Sequence, residues 1–428
     1  MEKIGVIEGF YGIPYTFEER RSMIGFLSDI GMNTYVYAPK DDPYHNIKWR
    51  EPYPEDKLDQ LEKLAKFAQS KQVRFIWAIH PGQNLIDFDN YESERDKLFK
   101  KYESLYNKGI RSFALCMDDI DRDEAYEQRD FHLRLVRDIL DFIKDFACDD
   151  LLFVHPWYNE AWIDNKGKEY FEKFKGLDRL SIMWTGSDVV VPLSKSSNDK
   201  FIELAGKRAH IWFNWPVNDY LRDQIFMEIF EFFDSRDINY DSILINPMNQ
   251  SELSKISIYQ IGEFIKNPLS YNPLLAFKKA LAYVDEKVSD ELLTISDSFF
   301  GSGVYDRSEN KKYLAEAKIA KAYKDKDKDL ILEAIDQKLY AIESYFKNYT
   351  NEKLFEEVEA FFLSLKYLLL AIKNILEENK DLARSFYQKS KEPKVRVYKE
   401  YSNFIVEERV VKTSKILEEI YSNLEGVD

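Results

Sequence analysis

Eight short apolar runs, rich in β-branched and aromatic residues, recur along roughly the first 250 residues. They begin near Lys3 (KIGVIEG), Asn33 (NTYVYAP), Val73 (VRFIWAI), Arg111 (RSFALCM), Leu151 (LLFVHP), Leu180 (LSIMWTG), Ala209 (AHIWFNW) and Asp241 (DSILINP). Each is almost continuously apolar, as parallel strands buried on both faces are. Amphipathic stretches such as TFEERRSMIGFLSDIG and DYLRDQIFMEIFEFFDS lie between them and read as helices. Eight strand–helix units over roughly 250 residues predict an α/β fold of the (β/α)8 TIM barrel type. A doubly wound open sheet would normally show a glycine-rich phosphate fingerprint after its first strand, and EGFYG has the wrong glycine spacing.

The alternation stops at NPLSYNP, residues 267–273, where two prolines mark a boundary. The expected domains are a barrel over 1–268 and an all-α helical bundle over 269–428. Leu354, Val358, Phe361, Leu365, Leu368, Ile372 and Ile375 form an i, i+3, i+4, i+7 stripe. The opposite face mixes both charges, so the stripe reads as bundle core rather than a membrane-surface helix. KDKDKD from Lys324 reads as a solvated helix end or turn.

A net charge of −15 argues against a nucleic-acid partner. Two cysteines, Cys116 and Cys148, are too few for a disulfide framework. No Cys/His zinc cluster is seen, and Cys116 reads as a small buried hydrophobe. MEKIGVIEGFYG has no secretory pattern, and YLLLAI from Tyr367 is too short to span a bilayer. A cytoplasmic protein with no membrane partner is the expectation.

Polar and aromatic residues cluster just after the strands: Gly9 with Phe10 and Tyr11, Lys40, Asp118 and Asp119, Tyr158, Thr185, Asn214, Asp219 and Asn246. In a TIM barrel these positions converge on one mouth, the active-site face. Polar residues do begin wherever strands end, which accounts for any one of them. It accounts poorly for a lysine directly after a buried strand in YAPKDD, or for two adjacent carboxylates closing RSFALCMDDID.

GVIEGFYGIPYTFEERR, NTYVYAPKDDPYH, RSFALCMDDID, WTGSDV, IWFNWPVND and INPMNQSELSK together resemble the family 84 glycoside hydrolases. These are the O-GlcNAcases and related β-N-acetylglucosaminidases, with hyaluronidase-type relatives. The resemblance runs from Gly5 to about Ser254. It implies a retaining exo-β-N-acetylglucosaminidase that removes terminal β-linked GlcNAc with no cofactor and no metal. Two departures fall on the acetamide side. HPWYN has one residue between proline and tyrosine where the family has two, and Phe213 stands where the family has an aspartate.

Adjacent carboxylates are poorly placed to straddle a sugar, because their Cα atoms lie only about 3.8 Å apart and most glycosidases separate the two groups by roughly 5–9.5 Å. A pair on one side suits substrate-assisted catalysis, in which the substrate's own acetamide oxygen attacks the anomeric carbon. By the match, Asp118 orients the acetamide and Asp119 is the general acid/base. Close like charges and burial would help keep one of them protonated. The resemblance also places Tyr158 on the acetamide oxygen, and Gly9, Lys40, Asp219 and Asn246 on sugar hydroxyls. Asn214 would support the acetamide or Asp118, and Thr185, Val189 and Trp212 would line the acetamide pocket.

Other readings compete. Asp118 could cap a loop while Asp119 pairs with a basic residue. Lys40 could form a salt bridge with Asp41 or Asp42. Asp118, Asp119 and Asp121 could bind Mg²⁺ or Ca²⁺. The resemblance gives His80 and His155 no role, and both read as packing or rim residues. A hyaluronidase-type endo-enzyme and a non-catalytic glycan-binding protein are the alternative functions. The expected partner is a GlcNAc-bearing glycan or glycoprotein. The oligomeric state is open, with the C-terminal helices available for dimerisation.

Overall fold

The computed structural model describes residues 1–82, 86–233, 236, 238–304, 318–399 and 404–426. Eight parallel strands close into a barrel in the order β1 to β8. They are β1 (Lys3–Glu8), β2 (Thr34–Tyr37), β3 (Arg74–Ile79), β4 (Ser112–Cys116), β5 (Leu151–Val154), β6 (Leu180–Trp184), β7 (His210–Phe213) and β8 (Ser242–Ile245). Closure is made by β1 against β8, with Gly5 opposite Leu244. The predicted strand starts agree with these to within one residue, because continuous apolar runs are what a doubly covered strand needs.

Side chains two apart on successive strands fill the barrel. Val36 and Ala38, Ile76 and Ala78, Ala114 and Cys116, and Leu152 and Val154 meet Ile7, Met183, Trp212 and Leu244 in one buried cluster. The small residues of β3 and β4, with Ala38 just after β2, leave volume that the Trp212 indole takes up.

Gly5 shows how tightly the strands pack. A Cβ there would sit 1.7 Å from the Thr34 carbonyl oxygen, a backbone atom that cannot step aside. Gly5→Ala should therefore destabilise the protein by about 1–3 kcal/mol, lowering Tm by roughly 3–10 °C. A melting curve unchanged from the parent would contradict this packing.

Helices follow β1 to β6 and β8. The helix Phe17–Asp29 opens with a capping box, Thr16 accepting from the Glu19 backbone while Glu19 accepts from that of Thr16. The β7–β8 connection departs from the predicted eightfold pattern: among the described residues it holds no α-helix. Residues 219–233, read as helical from their amphipathic spacing, are irregular, while Asp234 and Ser235 lie outside the described residues. Their backbone finds partners elsewhere. Phe230 N–H donates to Gln260 Oε1, Gln260 Nε2 donates to the Glu228 carbonyl, and Met227 N–H donates to the Phe299 carbonyl. The Glu228 carboxylate accepts from Gly301 N–H, Ser302 N–H and the Ser302 hydroxyl. Tertiary partners thus outweigh local helix propensity.

The chain divides into two compact units: 1–217 with 233–249, and 218–232 with 250–428. The first is the barrel. The second comprises helices, including Ser251–Lys266, Pro273–Asp285, Lys328–Asn348 and Glu352–Leu376. The stripe from Leu354 to Ile375 is buried. KDKDKD, residues 324–329, takes in the end of the helix Lys318–Lys324, a short turn and the start of the helix Lys328–Asn348. The second unit also contains an antiparallel strand pair, Lys394–Tyr398 with Val406–Val410, that the sequence reading did not place. No described helix is long and apolar enough to cross a membrane.

Candidate active site

The carboxylate pair follows β4 directly. In a regular strand Asp118 and Asp119 would point to opposite faces. Asp119 instead adopts φ +56°, a left-handed conformation that aspartate tolerates better than most residues. The strand ends there, and the two carboxylates enter different surroundings.

Asp118 is buried and paired with Lys40, itself buried after β2. Its Oδ2 accepts from Lys40 Nζ, whereas Oδ1 is buried and has no hydrogen-bond partner among the described residues. Burial would raise the Asp118 pKa, but the Lys40 ammonium outweighs it and holds it at about 2. Lys40 is pushed down by burial and more than compensated by Asp118, so its pKa is raised. The other lysine partners considered are occupied: Asp41 accepts from Gly12 N–H, and Asp42 from the Tyr37 and Tyr53 hydroxyls.

Asp119 is exposed. Its Oδ2 accepts from the Tyr11 hydroxyl at 2.5 Å and its Oδ1 from the Tyr158 hydroxyl at 2.9 Å. Close like charges and burial are expected to keep one of the pair protonated; only Asp118 is buried, and there the Lys40 ammonium favours the ionised form instead. Among the described residues, neither the loop-capping role for Asp118 nor a basic partner for Asp119 is found. Asp121 serves as the N-cap of the helix Arg122–Glu127, accepting from Asp123 and Glu124 N–H, rather than joining the pair.

The remaining residues form a chain of amides from β6 round to β1. Asn214 Nδ2 donates to the Val189 carbonyl (2.9 Å), while Asn214 Oδ1 accepts from Trp212 Nε1 (2.8 Å) and Asn246 Nδ2 (3.0 Å). Asn246 Oδ1 accepts from Gly9 N–H at 3.3 Å. Trp212 lies in the barrel core with its indole against Gly9, where a Cβ would come within 2.2 Å of the ring. Lys40 Nζ stands 5.7 Å from the Trp212 ring centre. The Thr185 hydroxyl donates to the Asp188 carbonyl at 2.9 Å, tying down the loop that carries Val189. Asp219 lies in the segment 218–232 of the second unit.

Two residues at this site had no role in the sequence reading. Tyr11 was noted only as a neighbour of Gly9, and its position inside GFYG was the available signal. His80 was read as packing, yet it touches both Lys40 and Asp118. His155 is a packing residue, stacked edge-on against Phe171 with ring centres 4.5 Å apart.

A closed parallel barrel with an unlike carboxylate pair after β4, ringed by amides and tyrosines, defines a barrel enzyme site built for a polar, hydroxyl-bearing substrate. Comparison with known proteins narrows the class. Residues 4–297 match the beta-N-acetylglucosaminidase family model, and the chain belongs to that family of glycoside hydrolases. It is 28% identical over 281 residues to Protein O-GlcNAcase of Mus musculus and 28% identical over 285 residues to that of Rattus norvegicus. Each match covers 62% of this chain and 30% of the relative, so the chain spans about 30% of the length of those proteins. Among solved structures, CpGH84D superposes with a TM-score of 0.83 at 23% identity, over 99% of this chain and 74% of that one. A mutant of the Thermobaculum terrenum O-GlcNAc hydrolase gives a TM-score of 0.78 at 20% identity, over 98% and 94%.

Proposed function

We propose that the protein is a retaining exo-β-N-acetylglucosaminidase that removes terminal β-linked GlcNAc by substrate-assisted catalysis. The observation that carries this reading is the unequal setting of two adjacent carboxylates. Asp118 is buried, ionised and fixed by Lys40, with Oδ1 left over. That oxygen suits an acetamide N–H, and the fixed charge suits the cation that develops as the acetamide oxygen attacks. Asp119 is exposed and held by two hydroxyls, a setting suited to protonating the leaving oxygen and then activating water. Neither carboxylate needs to become the nucleophile, and the substrate-assisted exception to double displacement fits this pair.

Tyr158 has one hydroxyl proton, which it gives to Asp119 in the free enzyme and turns to the acetamide oxygen when substrate is bound. Thr185, Val189 and Trp212 line the acetamide pocket, with Asn214 bracing it. Gly9, Lys40, Asp219 and Asn246 hold sugar hydroxyls, Lys40 while still paired with Asp118. The catalytic domain runs over 1–268, the barrel strands with the helix that follows β8, and 269–428 is a mainly helical domain. The names of the rodent relatives favour GlcNAc on protein serine or threonine as the substrate.

The test uses protein dialysed against EDTA and a chromogenic β-GlcNAc glycoside whose N-acetyl methyl carries zero to three fluorines. Turnover should survive dialysis and fall stepwise with each fluorine, since each withdraws electrons from the attacking oxygen. A thiazoline mimic of the oxazoline should compete tightly. A flat fluorine series, with a 2-fluoro sugar trapped on Asp118 or Asp119, would overturn the mechanism. Binding without any turnover would favour the glycan-binding alternative.

A further inference from the structure

We infer that His80 is a positioning residue for the carboxylate pair: its neutral Nε2–H imidazole fixes the Asp118–Asp119 peptide and the Lys40 ammonium together. The inference rests on the function proposed above. His80 follows β3 and is fully buried. Its backbone N–H donates to the His45 carbonyl at 2.8 Å, tying it to the loop after β2. Its Nδ1 lies 3.4 Å from Lys40 Nζ. An ammonium can only donate, so Nδ1 must accept and carries no proton. The ring proton then sits on Nε2, which lies 3.0 Å from the Asp118 carbonyl oxygen, an atom that can only accept. The partners thus select one tautomer.

The groups facing the ring are Lys40 and His45 from the loop after β2, and Asp118 and Asp119 from the end of β4. Burial and the adjacent ammonium push the imidazole pKa below its ordinary value, which favours the neutral ring that the two hydrogen-bond partners require. Gly82 makes room for it. A Cβ there would stand 3.1 Å from ring atoms Cδ2 and Nε2 and 3.2 Å from the Met117 Cα.

This contact matters because the Asp118 carbonyl belongs to the peptide that joins the two carboxylates. Asp119 has a positive φ, a conformation that persists only where neighbours hold it. Tyr11 and Tyr158 hold its carboxylate, and His80 holds the peptide before it. The same ring accepts from the lysine that fixes Asp118. One side chain therefore sets the spacing between the acetamide-orienting and proton-transferring groups.

Two variants separate the bonds. In His80→Gln the side-chain amide can place an N–H donor near the Nε2 position. In His80→Asn the shorter amide can meet Lys40 but not the Asp118 carbonyl. Kinetics on aryl β-GlcNAc glycosides should show His80→Asn losing about 10-fold to 100-fold in kcat, with KM within about threefold and the same loss for good and poor leaving groups. His80→Gln should recover most of that loss. Long-range ¹H–¹⁵N spectra of the parent, with the His80 ring assigned by its absence from His80→Gln, should show the Nε2–H tautomer. Folded His80→Asn with parental kcat, His80→Gln no better than His80→Asn, or an Nδ1–H ring would overturn the inference. If His80→Asn does not fold, the kcat of His80→Gln and the tautomer decide: a kcat near that of the parent with an Nε2–H ring supports the role, and a collapsed kcat or an Nδ1–H ring sinks it. A parent inactive on every β-GlcNAc glycoside would instead defeat the proposed function, and the tautomer would still be readable.

Discussion

Asp119→Asn should lower kcat/KM by about 10³-fold or more on glycosides with poor, alkyl-like leaving groups and far less on activated aryl glycosides. Asparagine keeps the shape and still accepts from Tyr11 or Tyr158, but it has no proton to give. A nitrophenolate leaves almost unaided, so the first step is partly spared and opening of the oxazoline becomes limiting. Because Asp119 is exposed, the thermal midpoint should hardly move. The check is a plot of log kcat/KM against leaving-group pKa, which should be much steeper for the variant than for the parent. Parallel lines would remove Asp119 from the proton-transfer role.

Asp118→Asn should cost about 10²-fold to 10³-fold in kcat regardless of the leaving group, because it weakens stabilisation of the forming oxazoline. It should also destabilise the protein. Lys40 would remain buried opposite a neutral amide; removing one partner of a buried pair costs about 3–5 kcal/mol, and the amide oxygen that remains should bring this nearer 1–3. A pH signature follows. An ordinary aspartate titrates near about 3.9, while Asp118 in the fold is held at about 2. The folded pKa is the lower one, so the ionised pair adds stability above about pH 4 and loses it as the pH falls toward 2. Melting curves between pH 2 and 7 should show that acid-sensitive portion in the parent and lack it in Asp118→Asn. Identical pH profiles would mean that the pair does not stabilise the fold as its geometry implies.

Much of this site is legible in the sequence. The carboxylate pair, Lys40 and the asparagines stand where an apolar run ends, and a barrel brings such ends together, while Trp212 lies within the β7 run. The partners were much less legible. Lys40 has two aspartates next to it in sequence, and proximity along the chain favours them. It pairs instead with Asp118, 78 residues away. His80 looked like any histidine ending a strand until its two ring nitrogens were seen between Lys40 and the Asp118 carbonyl. Nothing in the sequence signals that the Tyr158 hydroxyl donates to Asp119.

The sequence by itself determined the eight strands, their covered faces, the change to helices beyond the barrel and which candidate residues stand at the strand ends. These follow from local periodicity, since apolar side chains must be removed from water whatever their partners are. Only the tertiary structure decided that residues 219–233 forgo a helix, that Asp119 turns left-handed, and that Asp118 is ionised in the interior while its neighbour stays exposed. Those outcomes depend on which buried donor meets which acceptor across loops distant in sequence. An unmet polar group costs more than a helical turn contributes, so the distant partner prevails over the local pattern.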